Sequence, residues 1–337
     1  MDITPAYQAL LQPSDDLIRD IRTVAGDIII LGAGGKMGPA LARLAKQAVE
    51  RAGLRKNVIA VSRFSDGSTR DDLQRDGVRT ISLDLLDDAQ LKSLPDVENV
   101  LYLAGMKFGT TGKEPLTWAM NAYLPGRVAE KYKNARIVAF STGNVYPFYP
   151  VNSAGPSEDN ATAPVGEYAQ SCLARERVFQ YFALKNNTPT LIFRLNYAND
   201  VSYGVLVDIA LAVRDERPID LTMGYVNVIW QGDANEMALR SLLHCSVPSQ
   251  VLNITGSETV SVRSAAQKFG ALFGKAPRFI GQESDTALLS DASKSHKLLG
   301  KPKVSVEQMI ATIGVWVKKG MGTLNKPTHF QEREGKF

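Results

Sequence analysis

Cysteine is nearly absent from this chain: Cys172 and Cys245 are the only two, and no C-x-x-C pair occurs. That excludes a disulfide framework and a cysteine-held metal, and the three scattered histidines (His244, His296, His329) offer no zinc spacing. Long apolar runs are missing too. Residues 28–31 are among the longest, far short of the roughly 20 a membrane-spanning helix needs. Neither sign of charge dominates, with 39 Lys and Arg against 35 Asp and Glu and no dense basic run. The net +4 is therefore no footprint for nucleic acid or a membrane surface. With 27 glycines and 16 prolines in 337 residues, the chain is neither collagenous nor of low complexity. The first 25 residues lack the apolar core of a signal peptide, and Asp15, Asp16 and Asp20 are out of place in a transit peptide. The expectation is a cytoplasmic protein.

What is present is ample material for a core: 44% of residues are apolar and 22% charged. Short β-branched runs at 28–31, 57–61, 78–83, 99–103, 137–140 and 190–193 alternate with helical patterns at 39–52, 116–133 and 168–184. Strands buried on both faces between helices predict an α/β fold with a doubly wound parallel sheet. Ser14 reads as the cap of an N-terminal helix, with Asp15 and Asp16 where the helix dipole favours acids. Residues 146–166, with four prolines among Ser, Asn and Gly, are loop chemistry. The sheet is expected to end near residue 200, and residues 323–337 read as a polar, poorly anchored tail.

Between the first strand and its helix lies Gly32-Ala33-Gly34-Gly35-Lys36-Met37-Gly38, with glycines 32, 35 and 38 in G-x-x-G-x-x-G spacing. In that context glycine lets the backbone turn tightly and approach a pyrophosphate at the helix N-terminus, so a dinucleotide site is expected. The second strand ends in Ser62-Arg63 rather than an acid. Arg63, with Lys36 as a second cation, favours the 2′-phosphate of NADP; Asp66 nearby keeps NAD as the alternative.

With those pieces placed, residues 26–318 resemble the extended short-chain dehydrogenase/reductase family, specifically its NAD-dependent epimerase/dehydratase group. Asp84-Leu85 is similar to the family's adenine-binding D-[LV] pair, and Leu103-Ala104-Gly105-Met106-Lys107 to its LAG-x-K segment, whose lysine contacts the cofactor. Asn121 matches the asparagine of the following helix. Ser141-Thr142-Gly143-Asn144-Val145-Tyr146 resembles SS-x-x-VYG, Arg194-Leu195-Asn196-Tyr197 the R-x-x-N stretch, and Asp291-Ala292-Ser293-Lys294 with Leu298-Leu299-Gly300 the D-x-SK…LG motif. The resemblance implies a Rossmann-type NAD(P)-binding domain at 26–200, preceded by a helical extension at 1–25. A small C-terminal substrate-binding cap at 201–322, partly interleaved with the sheet, and the tail would follow. It also implies a homodimer formed through helices 116–133 and 168–184, with Ala122, Val128, Val178 and Phe182 partly at the interface.

The family's chemistry uses a Ser or Thr to hold the substrate oxygen, a Tyr to exchange its proton, and a Lys four residues after the Tyr. Thr142 and Tyr168 match the first two, but the lysine position is Cys172. A thiol is neutral at its usual pKa of about 8.5. Either Lys107 lends its charge to the same pocket, or the protein binds NADP(H) as a catalytically impaired regulator. A Cys172 thiolate nucleophile lacks a histidine partner.

The substrate side departs as well. The arginines that hold a nucleotide-sugar pyrophosphate in the family are absent from Met223-Gly224-Tyr225-Val226-Asn227-Val228 and from Gly281-Gln282-Glu283, with Arg278 as the candidate to compensate. The connection after Asn196 is short. The reading is therefore an oxidoreductase or epimerase acting on a small carbohydrate-like hydroxyl or ketone. Tyr146 and Tyr197 are candidate auxiliary donors, Glu283 and Asp285 candidate pocket acids, and Trp118, Trp230 and Trp316 packing residues.

Overall fold

The computed structural model describes residues 4–65, 67–107, 109 and 111–336; Asp66 lies outside them. Seven strands form one parallel sheet: β1 (Ile28–Leu31), β2 (Val58–Ser62), β3 (Arg79–Ser82), β4 (Asn99–Tyr102), β5 (Arg136–Thr142), β6 (Thr190–Leu195) and β7 (Gln250–Ile254). Their order is β3-β2-β1-β4-β5-β6-β7. Direction of winding reverses between β1 and β4, which opens a crevice at the carboxyl ends of those strands.

Side chains along β1 alternate between two apolar layers. Ile28 and Ile30 join Leu101, Val138 and Leu191 on one face, while Ile29 and Leu31 join Ile59, Val100 and Ile137 on the other. Helices must therefore cover both faces. The helix Gly38–Arg51 lies on the first, presenting Leu41 together with Ala42, Ala45 and Ala48, three small side chains that let it sit close to the sheet. Helices Leu124–Lys131 and Gly166–Asn186 cover the second through Val128 and Phe179.

Two expectations are corrected here. The sheet does not end near residue 200: Gln250–Ile254 pairs in parallel with β6 from Leu191 to Leu195. Its residues explain why it belongs there. Asn253 accepts from Tyr146 Oη (2.9 Å) and donates to the Pro156 and Asp291 carbonyls (both 3.0 Å), while Leu252 and Ile254 bury in the first sheet layer. The tail is polar but well anchored. Leu324 N donates to Ser202 O at 2.9 Å, Thr328 N and Oγ1 donate to Asp208 Oδ2 at 2.7 and 2.6 Å, and Phe330 is buried.

The C-terminal part has its own core, where helices Val205–Arg214, Val262–Phe273 and Val306–Lys318 pack around Trp230, Phe269 and Ile310. At the N-terminus, Ser14 caps Asp15–Thr23 by accepting from Leu17 N (3.1 Å), and Leu17 and Ile21 bury against the first sheet layer. Among the described residues no helix is long and apolar enough to cross a membrane.

Candidate functional site

Two adjoining cavities, of about 430 and about 360 Å³, open at the winding reversal and share Gly32, Gly35, Leu103 and Gly105. The larger is lined by Gly34, Ser62, Arg63, Asp84, Leu85, Ala104, Met120 and Lys326. The smaller is lined by Lys36, Met37, Gly38, Lys107, Thr142, Asn144, Tyr168, Asn196, Tyr197, Tyr203, Gln231 and Thr328.

The glycine loop fits a dinucleotide on steric grounds. Gly32 has φ +89°, and a Cβ there would lie 2.5 Å from Ala104 N. At Gly34 it would lie 2.4 Å from Ser62 Oγ, and at Gly38 2.4 Å from Ala33 O. These glycines bring β1, β2 and β4 and the helix start together. Gly35 differs: its Cβ would meet only Gly32 O at 3.4 Å, and the residue borders both cavities. A side chain at 35 would occupy the groove itself, beside the free N–H groups of the helix that starts at Gly38.

Thr142 ends β5, with Oγ1 donating to Asn144 Oδ1 (2.9 Å) and accepting from Asn144 N (3.1 Å). Tyr168 sits in the first turn of Gly166–Asn186, hydrogen-bonded to both the Thr142 hydroxyl and the Cys172 thiol. Lys107 Nζ lies 5.6 Å from the Tyr168 ring centroid. Burial dominates the electrostatics. It pushes the Tyr168 phenol well above its usual value, with Cys172 adding to the shift and Arg175 and Thr142 opposing it. It raises the Cys172 thiol as well, so the thiol stays neutral, which disfavours a thiolate nucleophile. The Lys107 ammonium is pulled down to about 8 by the same desolvation.

Arg175, buried one turn beyond Cys172, was not visible as a site residue in the sequence. Its guanidinium donates to Phe140 O (2.9 Å) and Asn121 Oδ1 (2.7 Å), and it is the cation that most lowers Tyr168 and Cys172. No motif marks it; it borders neither cavity, and the helix phase sets it near Tyr168 and Cys172. Asn121 lies on a single π-helical turn, Ala119–Tyr123, and borders neither cavity. Its role is to clamp the 103–107 loop, accepting from Met106 N and donating to Met106 O, each at 2.8 Å. It also donates to Ser171 Oγ at 2.9 Å.

Lys36 is not beside Arg63. It borders the smaller cavity, 3.6 Å over the Tyr203 ring, whereas the second cation at the Arg63 end is Lys326 of the tail. Tyr203, Gln231, Lys326 and Thr328 carry no local signature, since they reach the groove from distant parts of the chain.

Other candidates lie elsewhere. Arg278 is exposed and donates to Glu216 O (3.4 Å); Glu283 is paired with Arg263 (2.6 Å), and Asp285 is exposed. None of the three borders the groove. The Tyr146 hydroxyl is committed to Ser157 O (3.0 Å) and Asn253 (2.9 Å), whereas Tyr197 does line the smaller cavity. Trp230 is buried, Trp316 packs near Tyr7, and Trp118 is part-exposed. Val128 is fully buried inside the subunit, so it contributes to no interface.

A family model described as the NAD dependent epimerase/dehydratase family matches residues 28–198, half of the chain. No curated protein matches the chain. Solved structures share the fold. UDP-glucuronic acid 4-epimerase from Bacillus cereus, in complex with NAD, is 18% identical with a TM-score of 0.71, covering 87% of this chain and 96% of that one. UDP-glucose 4-epimerase from Thermotoga maritima, with UDP-glucose, is 18% identical with a TM-score of 0.70, covering 87% and 99%. UDP-glucose 4-epimerase from Thermus thermophilus, complexed with NAD, is 18% identical with a TM-score of 0.69, covering 86% and 98%.

Proposed function

The chain belongs to the NAD-dependent epimerase/dehydratase family, and from that premise we propose an NADP-dependent oxidoreductase or epimerase acting on a small carbohydrate-like hydroxyl or ketone. The observation that carries this reading is the convergence of Thr142, Tyr168 and Lys107 on one cavity of about 360 Å³. The nicotinamide, when bound, supplies the hydride acceptor or donor. The chain's own groups do the rest. The Thr142 hydroxyl holds the substrate oxygen. Tyr168 Oη takes the proton from that oxygen in oxidation as its phenolate, leaving the phenol, and as the phenol returns it in reduction. Arg175 and Lys107 supply positive charge around a phenol whose helix carries cysteine in place of lysine, and the low-dielectric surroundings strengthen their effect.

Cofactor choice rests on Arg63 and Lys326, two cations and no described carboxylate other than Asp84 at the adenosine end. Asp84 Oδ1 accepts from Leu86 N at 3.0 Å. The substrate reading rests on the smaller cavity, which has no arginine among its lining residues to hold a pyrophosphate. A homodimer is supported by the exposed apolar side chains Tyr123, on the turn Ala119–Tyr123, and Tyr181 and Leu184, on the helix Gly166–Asn186. A cytoplasmic location is supported by the two unpaired cysteines and the soluble cofactor pool such an enzyme draws on.

The test is direct. Purified protein is titrated with NADPH and NADH and then assayed at 340 nm with free sugars and sugar acids. Tyr168→Phe is expected to keep cofactor binding within about threefold and lose turnover by at least about 100-fold. The second reading, a binding or regulatory protein, is favoured by the raised Tyr168 phenol beside a neutral thiol. Unchanged biological activity in Tyr168→Phe would establish it.

A further inference from the structure

One wall of the smaller cavity is built by the end of the chain. From Leu324, whose N–H donates to Ser202 O at 2.9 Å, the tail passes Lys326 at the adenosine end and reaches Thr328 at the wall of the smaller cavity. Phe330 follows, buried in the C-terminal core, and its carbonyl accepts from Tyr197 Oη at 3.5 Å. Arg333 then donates to Thr286 O and Oγ1 at 2.9 and 2.7 Å. Gly335 lies against Gly166, the first residue of the helix that carries Tyr168; a Cβ on Gly166 would come within 2.4 Å of Gly335 O. The tail therefore crosses from the adenosine end of the groove to the catalytic helix.

On its other side lies a third cavity, of about 660 Å³, between the tail and the helix Val205–Arg214. Tyr203 borders both this cavity and the smaller one. Thr328 borders only the smaller, whereas Pro327 and Phe330 border the third. Residues 327–330 are thus a partition between two spaces. Asp208 holds it, because its Oδ2 accepts from Thr328 N and Oγ1 at 2.7 and 2.6 Å. Both hydrogens that Thr328 could offer a substrate are spent there, so the wall acts by shape. On the catalytic side, a cavity of about 360 Å³ has to hold the nicotinamide end and the substrate together. That is close to the lower limit for ligand pockets, which run from about 300 to 1,000 Å³. Room for a longer ligand exists, but on the far side of the tail.

We propose that Thr328 and Phe330 determine substrate size: the tail confines the reaction to monosaccharide-sized hydroxy or keto compounds and excludes those that carry a glycosyl or nucleotidyl group. This rests on the substrate reading above and deepens it, by adding a steric limit to the missing arginine.

The experiment uses the full-length, cofactor-saturated protein and a size series. Galactose, glucose and their uronic acids are the small arm; lactose, maltose, UDP-galactose and UDP-glucose are the large one. Calorimetric Kd and turnover are both read. Wild type should bind at least one small compound about 100-fold or more tightly than its larger derivatives, the upper range for discrimination by pocket shape. Two variants open the wall by different routes. Phe330→Ala removes the buried ring from the partition. Asp208→Ala combined with Arg333→Ala releases the tail at two points, with hydrogen exchange over residues 324–336 reporting the release. Either should lower the ratio to about tenfold or less, through tighter binding of the larger compound. Thermal midpoints identify a misfolded Phe330→Ala, in which case the double variant decides. Three results overturn the proposal: a disaccharide or nucleotide sugar that binds wild type as well as the monosaccharide does, a folded variant with an opened wall that keeps the wild-type ratio, or no binding by any compound to wild type or variants. Failure of the underlying reading looks different: opening the wall then admits the larger compounds, but nothing of any size turns over.

Discussion

One helical turn after Tyr168 stands a buried thiol, and the phenol's own burial, with Cys172 second, holds its titration up. A neutral Cys172 contributes no charge, so Tyr168 relies on Arg175 and stays raised. Cys172→Lys places an ammonium on the same helix face. It is expected to move the alkaline limb of the kcat–pH profile for alcohol oxidation to lower pH and to raise kcat at pH 8. An unchanged limb would count against Tyr168 as the acid/base. Lys36 makes a second prediction. Its folded value, about 7, lies below the ordinary lysine value of 10.5, so between those limits the unfolded chain binds more protons. Stability of the cofactor-free protein therefore rises as pH climbs from about 7 towards 10, and Lys36→Met should flatten that rise in denaturant midpoints.

Elements hold these residues in phase through buried polar contacts. The helix Gly166–Asn186 is tied to β6 by Glu176 and Arg194, whose paired atoms lie 2.7 and 2.9 Å apart with both side chains buried. That link fixes the rotation of the helix and with it the aim of Tyr168. Glu176→Gln leaves the Arg194 charge without its full counter-ion and should cost about 3 kcal/mol in chemical denaturation. On the neighbouring element, Asn121 closes the loop that carries Lys107. Asn121→Ala should destabilise by about 2–3 kcal/mol and weaken NADPH binding at least tenfold, because four buried hydrogen bonds lose a partner. A variant with wild-type cofactor affinity would show that the clamp is not needed. The family asparagine was legible in the sequence, but its task was not: a π-turn has no local code, and only the packed loop shows what it holds.

At the scale of the whole molecule, the tail decides the boundary of the site. Thr328 borders the smaller cavity, Lys326 the larger, and Arg333 donates to Thr286 O (2.9 Å) while stacked 4.1 Å over the Phe148 ring. Truncation after Gly322 should lower the thermal midpoint, because Phe330 leaves an apolar core and Asp208 loses both donors. It should also weaken NADPH binding through the loss of Lys326, and an unchanged Kd would remove the tail from the site. Exposed Tyr181 and Leu184 predict self-association. Light scattering should give twice the 36.7 kDa chain mass, and Leu184→Asp should shift it towards the monomer.

Local chemistry in the sequence was sufficient for the parallel sheet and the glycine loop, while Thr142 and Tyr168 were marked by the family resemblance. Buried β-branched runs, glycines that admit no Cβ, and a fixed helical start each leave a mark at short range. The seventh strand, the anchored tail, the turn of Lys36 away from Arg63 and the presence of Arg175 beneath Tyr168 left none. The strand, the tail and Lys36 depend on partners more than 50 residues away in the chain, such as Asn253 with Tyr146 (107 apart) or Thr328 with Asp208 (120 apart). Arg175 depends on the packing of its helix against the sheet. The near-absence of cysteine excluded a disulfide or cysteine-metal framework from the outset. That one of the two thiols occupies the lysine position was also plain from the sequence. Where the compensating charge sits was settled only by packing, because a buried guanidinium acts through distance and dielectric, and neither is written along the chain.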